Sequence, residues 1–540
     1  MSILTLEFAL FFAITAIIYF IVPGKFQWIV LLLSGIYYLY CSCPSYQRAV
    51  FLVFVIVNYI ISVLISKSKK RSVYIAGLVF DVLYLCILKY FSFFSAIFVS
   101  AAGLVGININ IENIQKIQTI LNEIAPIGMS YFVLIVIAYI TDVYWEKITV
   151  QKNPFKFLYY ATFFPLLTSG PIVQYEQMES ELFVNDKERN DVNVSDNTDE
   201  KINEAKESNN KKRFDYERVI RGLQRVLYGV FKKLVIAERL AVVVNTIYGN
   251  YDVYAGYYIP VAATFFAFQL YTDFSGLMDI VIGLCEIIGI TLPENFDTPF
   301  YSRNLSEFWR RWHITLGGFL RDYVLYPVQR SKAFKNLRKV CKNKFGKGYE
   351  KKFNLPLYLS LFVSWFLIGL WHGGGWNYII GVGLYMWFMI VLGEVSKPFL
   401  EKIVNVLKIN TECFSFILFE RIRTFIVFAF GLSFFRAATL VDAFKMWKSA
   451  FTVNNMWIFF DKSLYSLGLS KDEFIICVLG LIIVFVVSFI KNNYGDVRDL
   501  IRKQNFVFRL FIFGILFAMI VMYGYYGTGF ETANFIYGRF

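Results

Sequence analysis

The sequence predicts an all-α, polytopic membrane protein, and three observations carry that prediction. Only 17% of its 540 residues are charged, against about 25% in a typical soluble domain. The mean hydropathy is positive, at +0.52. Apolar runs approaching the ~20 residues that a helix needs to cross a bilayer recur along the whole chain.

Ile3–Val22, Trp28–Tyr40, Val50–Ile65 and Val73–Tyr90 are candidate spans. The first reads as a retained span rather than a signal peptide. Met1–Leu10 hold Glu7 and no Lys or Arg, and no small-residue cleavage site follows. Further candidates are Ile127–Tyr144, Tyr258–Leu270, Ser275–Ile290, Leu355–Trp371, Tyr378–Gly393, Thr424–Phe435, Phe474–Ile490 and Phe511–Tyr523. The expected total is about a dozen transmembrane helices. Phe163–Val173 carries Pro165, Gly170 and Pro171. Such broken backbone cannot face lipid, so it is expected inside the bundle or beside a cavity. Residues 184–210 are rich in Asn, Asp, Glu and Lys without an aromatic residue, and read as a disordered cytoplasmic loop.

The net charge of +14 would suggest nucleic acid on a soluble protein. Here it reads as the positive-inside bias of a protein whose partner is the lipid bilayer, with no nucleic acid. Lys67, Lys69, Lys70 and Arg71 place the end of the third span in the cytoplasm. Arg221, Arg225, Lys232 and Lys233 sit on an amphipathic stretch expected at the inner interface. Residues 329–352 form a basic loop, with Arg330, Lys332, Lys335, Arg338 and Lys339 in its first half and Glu350 as its only acid. With Lys491–Arg509 also basic, the N-terminus and C-terminus are both expected outside. The seven cysteines are scattered and odd in number. They suggest no disulfide framework, and no metal site is expected.

The two histidines, the only ones in the chain, are the candidate site. Ionisable groups at membrane depth are costly and tend to be functional. His313 ends the stretch Glu307-Phe308-Trp309-Arg310-Arg311-Trp312-His313. On a continuous helix Trp309 and His313 would share a face, with Arg310 and Arg311 turned away. The same residues also read as an interfacial helix with snorkelling arginines and anchoring tryptophans. His372 ends an apolar span in Trp371-His372-Gly373-Gly374-Gly375-Trp376-Asn377. The glycines permit close approach of backbone or substrate, and equally fit a helix C-cap. Two histidines without ligand-spaced Cys, Asp or Glu do not make a zinc site. No Gly-x-Ser-x-Gly elbow occurs. A histidine acting as general base on an acceptor hydroxyl fits, because its free pKa of ~6.5 suits proton transfer at neutral pH. The donor must then be activated already, as a thioester is. The basic loop would hold its phosphates or an acidic carrier protein.

At these residues the chain resembles the membrane-bound O-acyltransferases (MBOAT). The likeness is to their bacterial branch, that of the alginate O-acetylation protein AlgI and the teichoic-acid D-alanylation protein DltB. The matching elements are Pro293-Glu294-Asn295-Phe296, Glu307 to His313, Arg321-Asp322-Tyr323, Tyr271-Thr272-Asp273-Phe274-Ser275-Gly276, Phe163-Phe164-Pro165 with Ser169-Gly170-Pro171-Ile172, and Leu370-Trp371-His372-Gly373. The chain departs from the branch after Tyr326-Pro327, where the basic insertion begins, and at Leu384-Tyr385-Met386, where a His-Gly pair is missing. The resemblance implies a helical ring thin at its centre, with His372 catalytic and His313 supporting. Trp309, Arg310, Arg311, Trp371, Asp273 and Asn377 would surround the site. It divides the chain into N-terminal helices 1–125, a catalytic core 126–395 and C-terminal helices with a tail, 396–540. Phe535-Ile536-Tyr537-Gly538-Arg539-Phe540 resembles the FxYxxF tail of a small DltX-type partner, which would make Tyr537 an acyl relay. The same tail also fits an aromatic interface anchor.

The implied activity is O-acylation, chiefly acetylation, of an extracellular or cell-wall polysaccharide at the cell membrane. The donor would be acetyl-CoA, another acyl-CoA or an acyl-carrier protein, with no tightly bound cofactor. An extracytoplasmic SGNH-type partner of the AlgJ or DltD kind would complete transfer to the glycan acceptor. D-alanyl transfer to teichoic acid and a non-enzymatic transporter or flippase remain alternatives.

Overall fold

The computed structural model describes residues 1–107, 109–182, 214–346, 348–351 and 353–526. The stretch 184–210 and Tyr537 with its tail lie outside the described residues. The described elements are helical, apart from one isolated antiparallel bridge between Phe296 and Trp312.

Six helices are long and apolar enough to cross a membrane among the described residues: Ser45–Ser68, Arg71–Leu88, Leu355–His372, Trp376–Val406, Lys471–Tyr494 and Phe506–Tyr523. The pair Ile111–Ile124 and Met129–Tyr144, bent by 72°, would make a seventh. Leu6–Ile21 and Phe91–Leu104 are apolar but shorter. The sequence estimate of about a dozen spans counted segments of that shorter kind. The two runs expected at Tyr258–Leu270 and Ser275–Ile290 form one helix, Tyr258–Ile287. Thr272 and Asp273, which lie between the two runs, are buried within it.

The chain divides into two compact units. The first comprises Met1–Gly229 and Leu277–Pro293. Here Ser45–Ser68 and Met129–Tyr144 pack through Phe51 and Phe54 against Phe132, with ring centroids 4.9 and 5.4 Å apart, and Arg71–Leu88 joins them through Tyr84, 4.5 Å from Phe54. Asn58 donates to Asp81 at 2.8 Å between two of these helices, and both residues are fully buried. The broken stretch around Pro165 is buried, as its backbone requires. Arg221 and Arg225 pair with Glu286 and Asp279 at 3.3 and 3.0 Å.

The second unit comprises Val230–Gly276 and Glu294–Phe540. Two expectations are corrected here. Lys232 and Lys233 are not on an exposed amphipathic face. They start a π-helical turn, Lys232–Ala237, and are 3% and 2% exposed. Lys232 donates to Ser275 at 2.8 Å, and Lys233 lies 2.6 Å from both Asp273 and Glu238. Buried ammonium groups need such partners, because desolvating them alone is costly. The basic loop is largely a helix, Lys332–Phe345. Ser331 caps it by accepting from the Phe334 amide, and it ends at Gly346, where φ is 81°. Lys, Arg, Ala and Leu are good helix formers, so a run of them between a cap and a glycine forms a helix despite its charge.

Candidate active site

Both histidines fall in the second unit and line one cavity of about 160 Å³. Most of its wall is apolar: Leu270, Leu316, Ile368, Phe435 and the indoles of Trp309, Trp312 and Trp365. Arg321 and Ser364 are its other polar side chains.

His372 is the last residue of Leu355–His372, a helix opened by an Asn354 cap and Pro356. Its position depends on close packing against the π-helical turn Ile379–Leu384. A Cβ on Gly369 would lie 2.7 Å from the Ile379 Cα, and one on Gly383 would lie 2.7 Å from the Trp365 carbonyl oxygen. No larger side chain fits either place without moving backbone. The helix does not end on a left-handed glycine. Gly373 has φ 179° and ψ 145°, extended backbone that any residue adopts. The His372 ring packs edge-on against Trp371 and Phe435, with centroids at 5.0 and 5.5 Å.

His313 is reached differently. The helix Leu305–Arg311 stops at Trp312, whose extended backbone pairs with Phe296. His313 then takes φ 48° and ψ 51° and opens the next helix, Ile314–Leu320. The expectation of a continuous helix through Trp309 and His313 is therefore corrected, since the backbone breaks between them. The two still meet at the cavity, because the break turns both side chains towards it. Asn295, fully buried, holds the turn. Its Oδ1 accepts from the Thr315 amide at 3.1 Å and from the Thr315 hydroxyl at 3.0 Å, and lies 3.2 Å from His313 Nδ1. The imidazole packs edge-on against Phe274 at 4.8 Å and Trp371 at 5.8 Å. Trp371 thus touches both histidines.

The other predicted site residues divide clearly. Trp309 lines the cavity and stacks edge-on with Trp365 at 4.9 Å. Trp371 supports the two rings from behind the lining. Asn377 is buried and donates to the Ala437 carbonyl at 3.0 Å, fixing the turn after His372. Asp273 serves the Lys233 pair and is not in the lining. Arg310 is exposed. Arg311 pairs with Glu307 at 2.9 Å and donates to Thr298 and Asn492 at 3.0 Å each. Arg330, Lys332, Lys335, Arg338 and Lys339 are exposed and outside the lining. Gln329 donates to Ser360 at 3.1 Å, which ties the approach to this basic helix to the His372 helix.

Sequence reasoning missed two contributors. Arg321 is the cavity's guanidinium, held by Asp322 through contacts of 2.8 and 3.2 Å. That carboxylate raises the Arg321 pKa above the usual guanidinium value. Asn295 was visible only as part of a motif; its spacing from His313 gave no sign that its side chain would reach the ring.

Residues 147–340 match the model of MBOAT, the membrane-bound O-acyltransferase family. The chain is 28% identical to the probable alginate O-acetylase AlgI of Pseudomonas syringae pv. tomato, over 76% of this chain and 67% of that protein. It is 27% identical to the peptidoglycan O-acetyltransferase of Helicobacter pylori, over 78% of this chain and 72% of that protein. It is also 27% identical to the teichoic acid D-alanyltransferase of Bacillus subtilis, over 49% of this chain and 58% of that protein.

Proposed function

Since the chain carries a domain of the membrane-bound O-acyltransferase family, we propose that it O-acylates an extracellular or cell-wall polysaccharide with a small acyl group, chiefly acetyl. The observation that carries this reading is the convergence of the chain's only two histidines on one small cavity. About 160 Å³ falls below the ~300–1,000 Å³ typical of drug-sized ligand pockets. Such a space suits an acetyl-sized group better than a long acyl chain. The alginate and peptidoglycan O-acetyltransferase relatives agree with that size.

In this reading His372 takes the proton of the accepting hydroxyl as it attacks the thioester carbonyl, and the thiol leaves on the donor side. A positioned base of this kind is worth about 10²–10⁴-fold in rate. The apolar wall strengthens electrostatic interactions at the reacting atoms by excluding water. Cytoplasmic acetyl-CoA or an acyl-carrier protein would be the donor, docking on the exposed cations of Lys332–Phe345. Tyr537 would supply the first accepting hydroxyl, from which an extracytoplasmic SGNH-type transferase would pass the group to the glycan. Tethering that hydroxyl to the chain raises its effective concentration. Both termini lie outside in this arrangement.

The teichoic acid D-alanyltransferase relative favours a second reading, D-alanyl transfer from an aminoacyl carrier protein. Base hydrolysis of surface polymers from a deletion strain separates the two. Loss of ester-linked acetate is expected, loss of D-alanine would select the second reading, and unchanged amounts of both would overturn acyl transfer. Tyr537→Phe should cause the same loss as deletion; full polymer acylation in that variant removes the relay alone.

A further inference from the structure

We propose that Asn295 is a positioning residue that fixes His313 as the Nδ1–H tautomer, leaving Nε2 as the nitrogen with the lone pair. The backbone N–H of Thr315 points at one atom of the Asn295 side chain at 3.1 Å. A backbone N–H donates only to an acceptor, so that atom is the carbonyl oxygen and not the amide nitrogen. The Thr315 hydroxyl, 3.0 Å from the same atom, can donate to it as well. The orientation of Asn295 is therefore set by its surroundings rather than by choice between two equivalent ends.

His313 Nδ1 stands 3.2 Å from that oxygen. An unprotonated Nδ1 would set its lone pair against those of the carbonyl. A protonated Nδ1 makes a hydrogen bond. In a neutral imidazole the other nitrogen is then an acceptor. The backbone reinforces the arrangement: the Ile314 amide donates to the Asn295 carbonyl at 3.1 Å, and the Asp297 amide donates to the Arg311 carbonyl at 2.9 Å. This clamp holds His313 at φ 48°, a conformation that non-glycine residues keep only when their surroundings impose it.

The consequence, which alone rests on the acyl-transfer reading, is a division of labour in the cavity. Neutral His313 accepts a hydrogen bond or a proton through Nε2 and does not donate one. It can accept a hydrogen bond from bound substrate while His372 takes the hydroxyl's proton, and it cannot serve as a neutral donor to the thioester oxygen. An imidazole left in the wrong tautomer costs the serine-protease triad about 10⁴-fold in turnover.

The chain's two histidines make the test direct. Full-length His372→Gln protein, labelled with ¹⁵N-histidine and reconstituted in lipid vesicles, carries a single imidazole. Its ¹⁵N spectrum above neutral pH should show the proton on Nδ1. Asn295→Ala in that background should move the population towards Nε2–H, whereas Asn295→Asp, which keeps an acceptor oxygen, should hold Nδ1–H. In cells with His372 intact, Asn295→Ala should lower polymer acylation by about tenfold or more, the scale at which loss of the partner that orients a metal-bound histidine lowers activity, and Asn295→Asp should restore part of it. An Nε2–H signal in protein that retains Asn295 overturns the assignment, as does an Nδ1–H signal that persists in Asn295→Ala. The spectrum is read without substrate, so absence of acyltransferase activity would sink the functional reading while leaving the tautomer standing or falling separately.

Discussion

His313 combines a strained backbone with a placed ring, and the two are separable by substitution. Holding a non-glycine residue at φ 48° costs on the order of 1–3 kcal/mol. Asparagine tolerates that conformation better than most residues. His313→Asn should therefore melt within a few degrees of the native protein while polymer acylation falls sharply; equal losses of stability and acylation would make His313 structural only. Lys233 offers the opposite case. Its ammonium is buried against Asp273 and Glu238. Lys233→Met leaves two carboxylates without that partner, and breaking a buried pair in this way costs about 3–5 kcal/mol. Thermal unfolding in detergent should show the loss. Of these features the sequence displayed the residue types and their scarcity. It did not display the partners, because Asn295 and His313, or Lys233 and Asp273, meet only after the chain has turned back on itself.

At the scale of elements, helix ends were harder to read than helices. Leu355–His372 and Phe506–Tyr523 follow from apolar composition and length. The break at Trp312–His313 does not, since neither Gly nor Pro marks it. It is made by the isolated bridge between Trp312 and Phe296, a contact between residues well separated in sequence. The basic helix was misread for a different reason: Phe334, Leu337, Cys341 and Phe345 recur at helical spacing, but the density of Lys and Arg between them reads as a solvated loop. Ser331→Ala should cost about 1 kcal/mol through loss of the cap, measurable as faster amide exchange along Lys332–Phe345. The Gly369–Gly383 contact makes a stronger demand. Gly369→Leu should destabilise by about 1–3 kcal/mol through overpacking and displace His372, so acylation should fall even where the protein accumulates normally. Normal acylation in a folded Gly369→Leu variant would show that the close packing does not set the histidine's position.

Over the whole molecule, membrane class and the likeness to the membrane-bound O-acyltransferase family model were legible because composition and motif survive without knowledge of contacts. The 17% charged content and the match over 147–340 speak to different properties and agree. The polymer and the donor were not legible, since the cavity lining is shaped by side chains from five separate stretches of chain. The proposed orientation rests on basic clusters alone and is directly testable. A single cysteine at Lys335 in an otherwise cysteine-free chain should resist membrane-impermeant maleimide in intact cells and react after permeabilisation; labelling in intact cells would invert the topology. The central claim is that the two-histidine cavity performs acyl transfer. The measurement closest to it is the ester-linked acyl content of surface polymers from a deletion strain expressing either the native chain or His372→Ala at matched membrane levels. The account predicts restoration by the native chain and deletion-level acylation with His372→Ala; full acylation by the variant would contradict it.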